Sequence, residues 1–228
     1  MPRLIAVVIG LFALLAAPAG LAADPWKEGT HYFLISPPQR TSVPAGKVEV
    51  LEVFSYGCPA CYSFEPVMRK LAAALPANAR IAHLPAAFNP SEGWPMFQRA
   101  YLAAQAMGIA DRTHQAMYDA VWKTGELGIV DPATGKLKKN LPTIEDAARF
   151  YAREAGVKPE AFLATAKSFA IDARMKAADR QIIEMRVDRT PTLVVNGKYR
   201  LHAQSAGGYD ELIALVKWLV EKESDGKT

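Results

Sequence analysis

Two cysteines are the residues of this chain best suited to redox chemistry. Cys58 and Cys61 are the only 2 cysteines among 228 residues, and just two residues separate them. Thiols this close can form a disulfide and exchange it with another protein through a mixed disulfide. A purely structural disulfide that closes so short a loop would add little stability. The spacing therefore favours a redox-active pair over a structural bridge.

Metal binding is the other chemistry that such a pair allows. A structural zinc site needs about four ligands, and the chain has no second cysteine pair. Its histidines, none of which forms a closely spaced pair in the sequence, are His31, His83, His114 and His202. We therefore predict no metal site of the zinc type. Copper(I) accepts two thiolates, so a copper-binding module is an alternative to an enzyme.

The cysteines stand at the predicted start of a helix. Cys58 takes the N-cap place and Pro59 the first helical position, where its missing N–H costs nothing. Apolar residues then recur at helical spacing: Cys61, Phe64, Met68, Leu71 and Leu75. This phase puts Cys61 on the apolar stripe and turns Cys58 toward solvent. Because a helix N-terminus favours an anion, we expect Cys58 to be the attacking thiolate and Cys61 the buried resolving thiol.

The segment before the cysteines predicts a buried strand that contains an acidic residue. Residues 48–54 are rich in β-branched and apolar side chains. Glu52 lies among them, where a carboxylate is costly unless it is paired or protonated. A raised pKa would suit a proton relay to Cys61, with His83 of the next predicted strand as a candidate partner. The alternative is a charge that reaches solvent at the end of the strand.

The rest of the chain predicts one α/β sheet with an inserted helical domain. A second strand is predicted at 80–88, and 94–185 has a helical pattern with four or five helices and no strand. Asn196-Gly197 between two short apolar runs predicts a hairpin, and a last amphipathic helix follows from 209 to 221. Strands before and after a helical block are best explained by a single sheet with an insertion.

The amino terminus predicts a secretory signal peptide at residues 1–22. Arg3 precedes an apolar run that is shorter than the ~20 residues of a membrane span, and small residues allow cleavage after Ala22 or Ala23. We therefore expect the mature chain outside the cytoplasm, where disulfides persist.

Composition excludes several other classes of protein. Hydrophobic residues make up 50% and charged residues 22% of the chain, and the net charge of +4 is spread along it. These values are typical of a globular protein. Basic residues form no patch with interleaved aromatics, so we expect no nucleic acid among the partners.

Two segments resemble the DsbA family of thiol:disulfide oxidoreductases. Residues 51–62, which contain both cysteines, closely resemble the active-site segment of that family. Thr190-Pro191-Thr192 and the residues up to 199 resemble its proline loop and hairpin. The resemblance covers essentially the whole mature chain and implies a thioredoxin fold. The implied domains are the signal peptide at 1–22, a thioredoxin-like domain at 23–90 and 186–228, and a helical insertion at 91–185.

The resemblance also implies an activity and its residues. The chain would oxidise the dithiols of newly exported proteins in the periplasm. The roles expected from the residues themselves fit this activity: Cys58 as nucleophile, Cys61 as resolving thiol and Glu52 as proton relay. A cis bond before the proline of the 190–192 loop is expected. The residues that would bind substrate are Pro59, Ala60, Thr190 and Pro191.

The same resemblance implies partners and one departure from the family pattern. A quinone-linked membrane partner of the DsbB type would reoxidise the enzyme, which needs no cofactor of its own and is expected to be a monomer. Well-known members carry Pro-His between the cysteines, whereas Ala60 here offers Cys58 neither a hydrogen bond nor a positive charge. A disulfide reductase or isomerase is the alternative within enzymes; no dimerisation segment of the kind those usually carry is visible in this sequence.

Overall fold

Five strands form one mixed sheet at the centre of the molecule. The computed structural model describes residues 24–225, so the predicted signal peptide lies outside the described residues. The strands are β1 (Phe33–Leu34), β2 (Val48–Phe54), β3 (Ala79–Pro85), β4 (Thr192–Val195) and β5 (Tyr199–Leu201), in the order β1-β5-β4-β2-β3. β2 pairs with β3 in parallel and with β4 antiparallel. The central strand predicted from the sequence is therefore confirmed.

The helices fall into two groups along the chain. Those outside the insertion are α1 (Pro59–Ala74), α7 (Ala203–Ala206) and α8 (Tyr209–Asp225). Those between β3 and β4 are α2 (Trp94–Ala106), α3 (Ala110–Trp122), α4 (Ile144–Ala155), α5 (Pro159–Ala166) and α6 (Phe169–Glu184). The inserted helical block is confirmed, while its boundaries at 91 and 185 stay a prediction. None of the helices in residues 24–225 is both long and apolar enough to cross a membrane.

Both faces of β2 are buried, which makes it a fixed base for the cysteines that follow. Val48 and Val50 pack on one face with side chains of α1 and α8. Leu51 and Val53 pack on the other face with side chains of α6. Each such side chain contributes about 1.5–3 kcal/mol when fully buried. The end of β2, and with it the start of α1, is therefore held from both sides of the sheet.

The hairpin after the proline loop has the turn that its sequence predicts. Asn196 and Gly197 both have positive φ, 50° and 67°, as the two central residues of a type I′ hairpin turn require. A Cβ on Gly197 would collide with the backbone oxygen of Gln39. The turn joins β4 to β5, and β4, which also pairs with β2, begins directly after Thr190 and Pro191.

Candidate active site

The helical insertion holds the loop that leads from β2 to the cysteines. Trp122 of α3 donates its indole N–H to the backbone oxygen of Tyr56 at 2.8 Å. The ring of Trp94, at the start of α2, packs so closely on Gly57 that a Cβ there would lie 2.7 Å from it. Glycine is therefore needed at position 57. Both tryptophans fix the backbone immediately before Cys58.

Cys58 is the N-cap of α1, as predicted, and hydrogen bonds stabilise its thiolate. The backbone N–H of Cys61 donates to Cys58 Sγ at 3.3 Å, and the protonated thiol of Cys58 donates to the carbonyl oxygen of Thr190 at 3.7 Å. The pKa of Cys58 is lowered to about 6, mainly by a hydrogen bond from the Cys61 thiol and further by Thr190 and the N–H groups of Ala60 and Cys61, against the effect of burial. Hydrogen bonds rather than a positive side chain lower this pKa.

Cys58 is buried, and the expectation that it faces solvent is wrong. It is 5% exposed and Cys61 is 0% exposed. Thr190 reaches the sulfur from one side, and Trp94 belongs to the same core cluster. Helix phase gives the direction of a side chain relative to its own helix, so it could not foresee that other segments cover the N-terminus of α1.

The two thiols have opposite acidities. Burial is the main cause that raises the pKa of Cys61 well above its usual value, and the neighbouring Cys58 and Glu52 raise it further. Cys61 therefore keeps its proton at a pH at which Cys58 has lost its own. Both are free thiols in this structure.

Glu52 lies inside the sheet rather than at its end. It is 1% exposed, and burial raises its pKa well above the usual range, with the charges of Glu65 and Cys58 as further causes. Nε2 of His83 lies 3.6 Å from Glu52 Oε2, so the predicted neighbour is in place. Burial, with a smaller effect of His114, lowers the pKa of His83 to about 3. At neutral pH this contact therefore joins a carboxyl group and an uncharged imidazole.

A second buried carboxylate in β2 was missed by the sequence analysis. Glu49 is also 1% exposed, but it lies on the other face of the strand, where the backbone N–H of Ser42 donates to its Oε2 at 2.7 Å. In contrast, Glu52 Oε2 has no hydrogen-bond partner within the described residues. Of the two carboxyl groups, Glu52 is the one whose oxygen is not already engaged.

The fold brings His83 and His114 together, although 31 positions separate them in the sequence. Their ring centroids lie 4.5 Å apart. His114 Nδ1 is hydrogen bonded to the Tyr56 hydroxyl at 2.9 Å, and its Nε2 lies 3.3 Å from Glu65 Oε1. Sequence distance could not show that α3 crosses beside β3. One signal was available: His114 falls on the buried stripe of α3, one turn before Met117.

Three of the four predicted substrate-binding residues line one cavity beside Cys58. The Thr190–Pro191 peptide bond is cis. Ala60, Thr190 and Pro191 border a cavity of about 440 Å³. The wall also contains apolar side chains (Phe64, Leu193, Tyr209 and Leu212) and polar ones (Asp188, Arg189, His202 and Gln204). Pro59 is exposed on the first turn of α1 and lies outside this lining.

Comparisons with known proteins agree with this arrangement. A family model described as Thioredoxin matches residues 43–215. The thiol:disulfide interchange protein DsbA of Pseudomonas aeruginosa is 36% identical over 219 residues, which cover 95% of this chain and 96% of that protein. The protein of the same name from Azotobacter vinelandii is 34% identical, with 93% and 92% covered. The chain belongs to the DsbA family.

Solved structures of DsbA-family proteins have the same fold. The crystal structure of Pseudomonas aeruginosa DsbA matches with a TM-score of 0.74 and 38% identity, covering 90% of this chain and 97% of that one. The DsbA structure from Xylella fastidiosa matches with a TM-score of 0.71 and 32% identity, covering 85% and 95%. The predicted thioredoxin fold with a helical insertion is confirmed. As a DsbA-family protein, the chain is a thiol:disulfide oxidoreductase that oxidises substrate dithiols.

Proposed function

We propose that this chain introduces disulfides into newly exported proteins in the periplasm, and that Cys58 is the sulfur that exchanges with substrate. The observation that carries the proposal is the opposite acidity of the two thiols at the start of α1. Cys58 has a pKa of about 6, whereas the pKa of Cys61 is well above its usual value. A thiol with a low pKa leaves quickly, which suits the sulfur that must be released at the end of the reaction.

The exchange runs in two displacements that start from the Cys58–Cys61 disulfide. A substrate thiolate attacks Cys58 Sγ, the bond between the cysteines breaks, and Cys61 departs with the electron pair. The second substrate thiolate then attacks the substrate sulfur of the mixed disulfide, and Cys58 leaves as a thiolate. The substrate gains a disulfide, and the cysteine pair gains two electrons.

Glu52 supplies the proton that the first displacement requires. Cys61 leaves as a thiolate inside the core, where burial disfavours its charge. The raised pKa of Glu52 favours the protonated carboxyl group that this step needs. Transfer of this proton to Cys61 leaves a carboxylate that regains its proton from solvent. General acid catalysis of this type is worth roughly 100-fold or more.

The cavity beside Cys58 receives the substrate segment next to the reacting cysteine. Thr190 precedes β4 and places its carbonyl oxygen 3.7 Å from Cys58 Sγ. An extended peptide can pair with backbone groups at such a position, as in strand addition. Ala60 and Pro191 give the wall small and apolar surfaces, which suit substrates of varied sequence. We assign Pro59 to the exposed rim.

The proposal includes a partner and a compartment. Two electrons must leave the reduced pair after each turnover, and a quinone-linked membrane protein of the DsbB type is the acceptor that we propose. The predicted signal peptide at residues 1–22 supports the periplasm, and we propose that the mature chain acts as a monomer.

A mixed-disulfide trap tests the assignment of the two sulfurs. In Cys61→Ala, neither the enzyme nor a peptide with a single cysteine has a second thiol that could release the adduct, so incubation with the disulfide-linked dimer of such a peptide should leave a stable mixed disulfide on Cys58. The matched Cys58→Ala variant should form no adduct under the same conditions. An adduct in Cys58→Ala and none in Cys61→Ala would reverse the assignment.

A further inference from the structure

Three side chains beneath the cysteine pair converge in the way that metal ligands do. Glu52 of β2, His83 of β3 and His114 of α3 each offer one ligand atom, and these three atoms all lie within 4.8 Å of one another. A carboxylate oxygen and two imidazole nitrogens form a donor set that Zn²⁺ accepts. We propose that Glu52, His83 and His114 form a binding site for a divalent transition-metal cation, with Zn²⁺ as the best fit.

Two of the three side chains have a buried polar atom that makes no hydrogen bond. Glu52 Oε2 and His114 Nε2 are buried and have no hydrogen-bond partner among the described residues. An unsatisfied buried polar atom costs about 1–3 kcal/mol, so most such atoms in native proteins have a partner. A cation placed between them would satisfy both atoms at once.

The spacing requires only a modest closure to reach zinc geometry. Zn²⁺ binds nitrogen and oxygen at about 2.0–2.2 Å, so ligand atoms in a tetrahedral site lie roughly 3.4 Å apart. The Glu52 Oε2 to His83 Nε2 distance is 3.6 Å, already close to this value. The side chain of His83 is 19% exposed, and within the described residues it makes no hydrogen bond that would oppose a small rotation toward His114.

The surroundings of His114 match those of a metal-binding histidine. Such a histidine usually has its second ring nitrogen held by another polar group, which fixes the ring. Nδ1 of His114 is held by the Tyr56 hydroxyl at 2.9 Å, which leaves Nε2 for a cation. Glu65 Oε1 lies 3.3 Å from this Nε2 and adds negative charge beside the site.

A cation has a route to these residues from solvent. His83 and His114 border a cavity of about 290 Å³, and two acidic residues, Glu65 and Asp111, lie in its wall. Arg69 is the cationic residue in that wall, and it is held by Glu65 at 3.4 Å and by Gln115 Oε1 at 2.7 Å. Negative charge therefore exceeds positive charge along the entrance.

The site shares Glu52 with the proposed proton relay but does not use the cysteine sulfurs, so zinc binding can be measured without any thiol exchange. The test uses the oxidised mature chain, because thiols tied in a disulfide cannot bind metal. Zn²⁺ is titrated into this protein in competition with a chromophoric chelator. One equivalent should bind, and His114→Gln should weaken the affinity at least tenfold, since Gln can accept the Tyr56 hydrogen bond but is a poor zinc ligand.

Controls separate this site from other zinc binding and from loss of the fold. His31→Gln removes a histidine outside the cluster and should leave the affinity unchanged. His83→Gln changes the most exposed of the three ligands and should weaken binding as much as His114→Gln, with an unchanged circular dichroism spectrum. Absence of competition with the chelator, or binding that survives both substitutions, would overturn the proposal.

Discussion

On its outer side the cysteine pair is surrounded by backbone groups and small residues, whereas on its inner side it faces ionisable side chains. Cys58 is contacted by the Cys61 N–H and by Thr190, next to the exposed Ala60. Beneath Cys61 lie Glu52, which is buried, and His83, which is partly exposed. The pKa of one thiol falls and that of the other rises. The surroundings of the two thiols therefore separate their pKa values, although no cationic side chain lies between the cysteines.

The largest expected effect is on the rate of thiol exchange, and it comes from removing the proton that Glu52 carries on the inner side. Glu52→Gln keeps the shape of the side chain but has no proton to give, so thiol exchange should slow roughly 100-fold at pH 7. Stopped-flow exchange with a dithiol peptide measures the rate. Glu49→Gln is the matched control, because Glu49 is as deeply buried in the same strand but is held by Ser42 on the other face.

The pH profile of these variants decides between a proton relay and a structural role. In the wild type, the rate should change as Glu52 titrates, and Glu52→Gln should lose this part of the profile while keeping its fold. An equal loss of rate in Glu49→Gln would show that replacing any buried carboxyl group in β2 disturbs the site. That result would remove Glu52 from the mechanism.

The second prediction concerns the outer side: the lowered pKa of Cys58 should make the stability of the reduced protein depend on pH. The folded pKa of Cys58 is about 6 and the unfolded value is about 8.5. A lowered folded pKa stabilises the reduced protein above the unfolded pKa, and this contribution disappears as the pH falls through about 6. Between pH 5 and pH 8 the reduced wild type should gain about 2.5 kcal/mol in free energy of unfolding relative to reduced Cys58→Ser. Denaturant unfolding at both pH values measures it, and equal pH dependence in the two proteins would contradict the account.

The third and smallest effect adds a cation to the outer side. Ala60→His places an imidazole next to Cys58, and its positive form should lower the pKa of Cys58 further, by about one unit. The equilibrium with a glutathione buffer should then shift toward the reduced enzyme about tenfold. Ala73→His, at an exposed position near the other end of α1, is the control and should change neither quantity. A shift of the same size in that control would point to net charge rather than position.

The sequence predicted the outer side of the pair better than the inner side. The N-cap position of Cys58, the central strand and the hairpin each depend on residues within a few positions, and all three are confirmed. Helix periodicity did not predict the cover over Cys58, because Thr190 comes from a distant part of the chain; only the family resemblance placed Thr190 at the site. Local periodicity has no means of placing one segment over the end of another.

The inner side combines residues of β2, of the loop after it, of β3 and of α3. Because these segments are far apart in the sequence, the inner side was only partly predicted. Glu52 stood out as an acidic residue in an apolar strand, and its neighbour His83 followed from the pairing of consecutive strands. His114 and Tyr56 meet only because α3 of the insertion packs beside α1 and β3. No pattern in the sequence relates these residues, although the histidine on the buried stripe of α3 could have marked that helix face.

A titration of the thiols in the reduced protein directly tests whether Cys58 and Cys61 have opposite acidities. Thiolate absorbance in the ultraviolet, with Cys58→Ser as the blank, follows the ionisation of each cysteine. We expect one thiolate with a pKa of about 6 that is absent from Cys58→Ser, and no second ionisation until well above the usual range of a cysteine. A first ionisation that persists in Cys58→Ser, or a Cys58 pKa near the unfolded value of about 8.5, would contradict it.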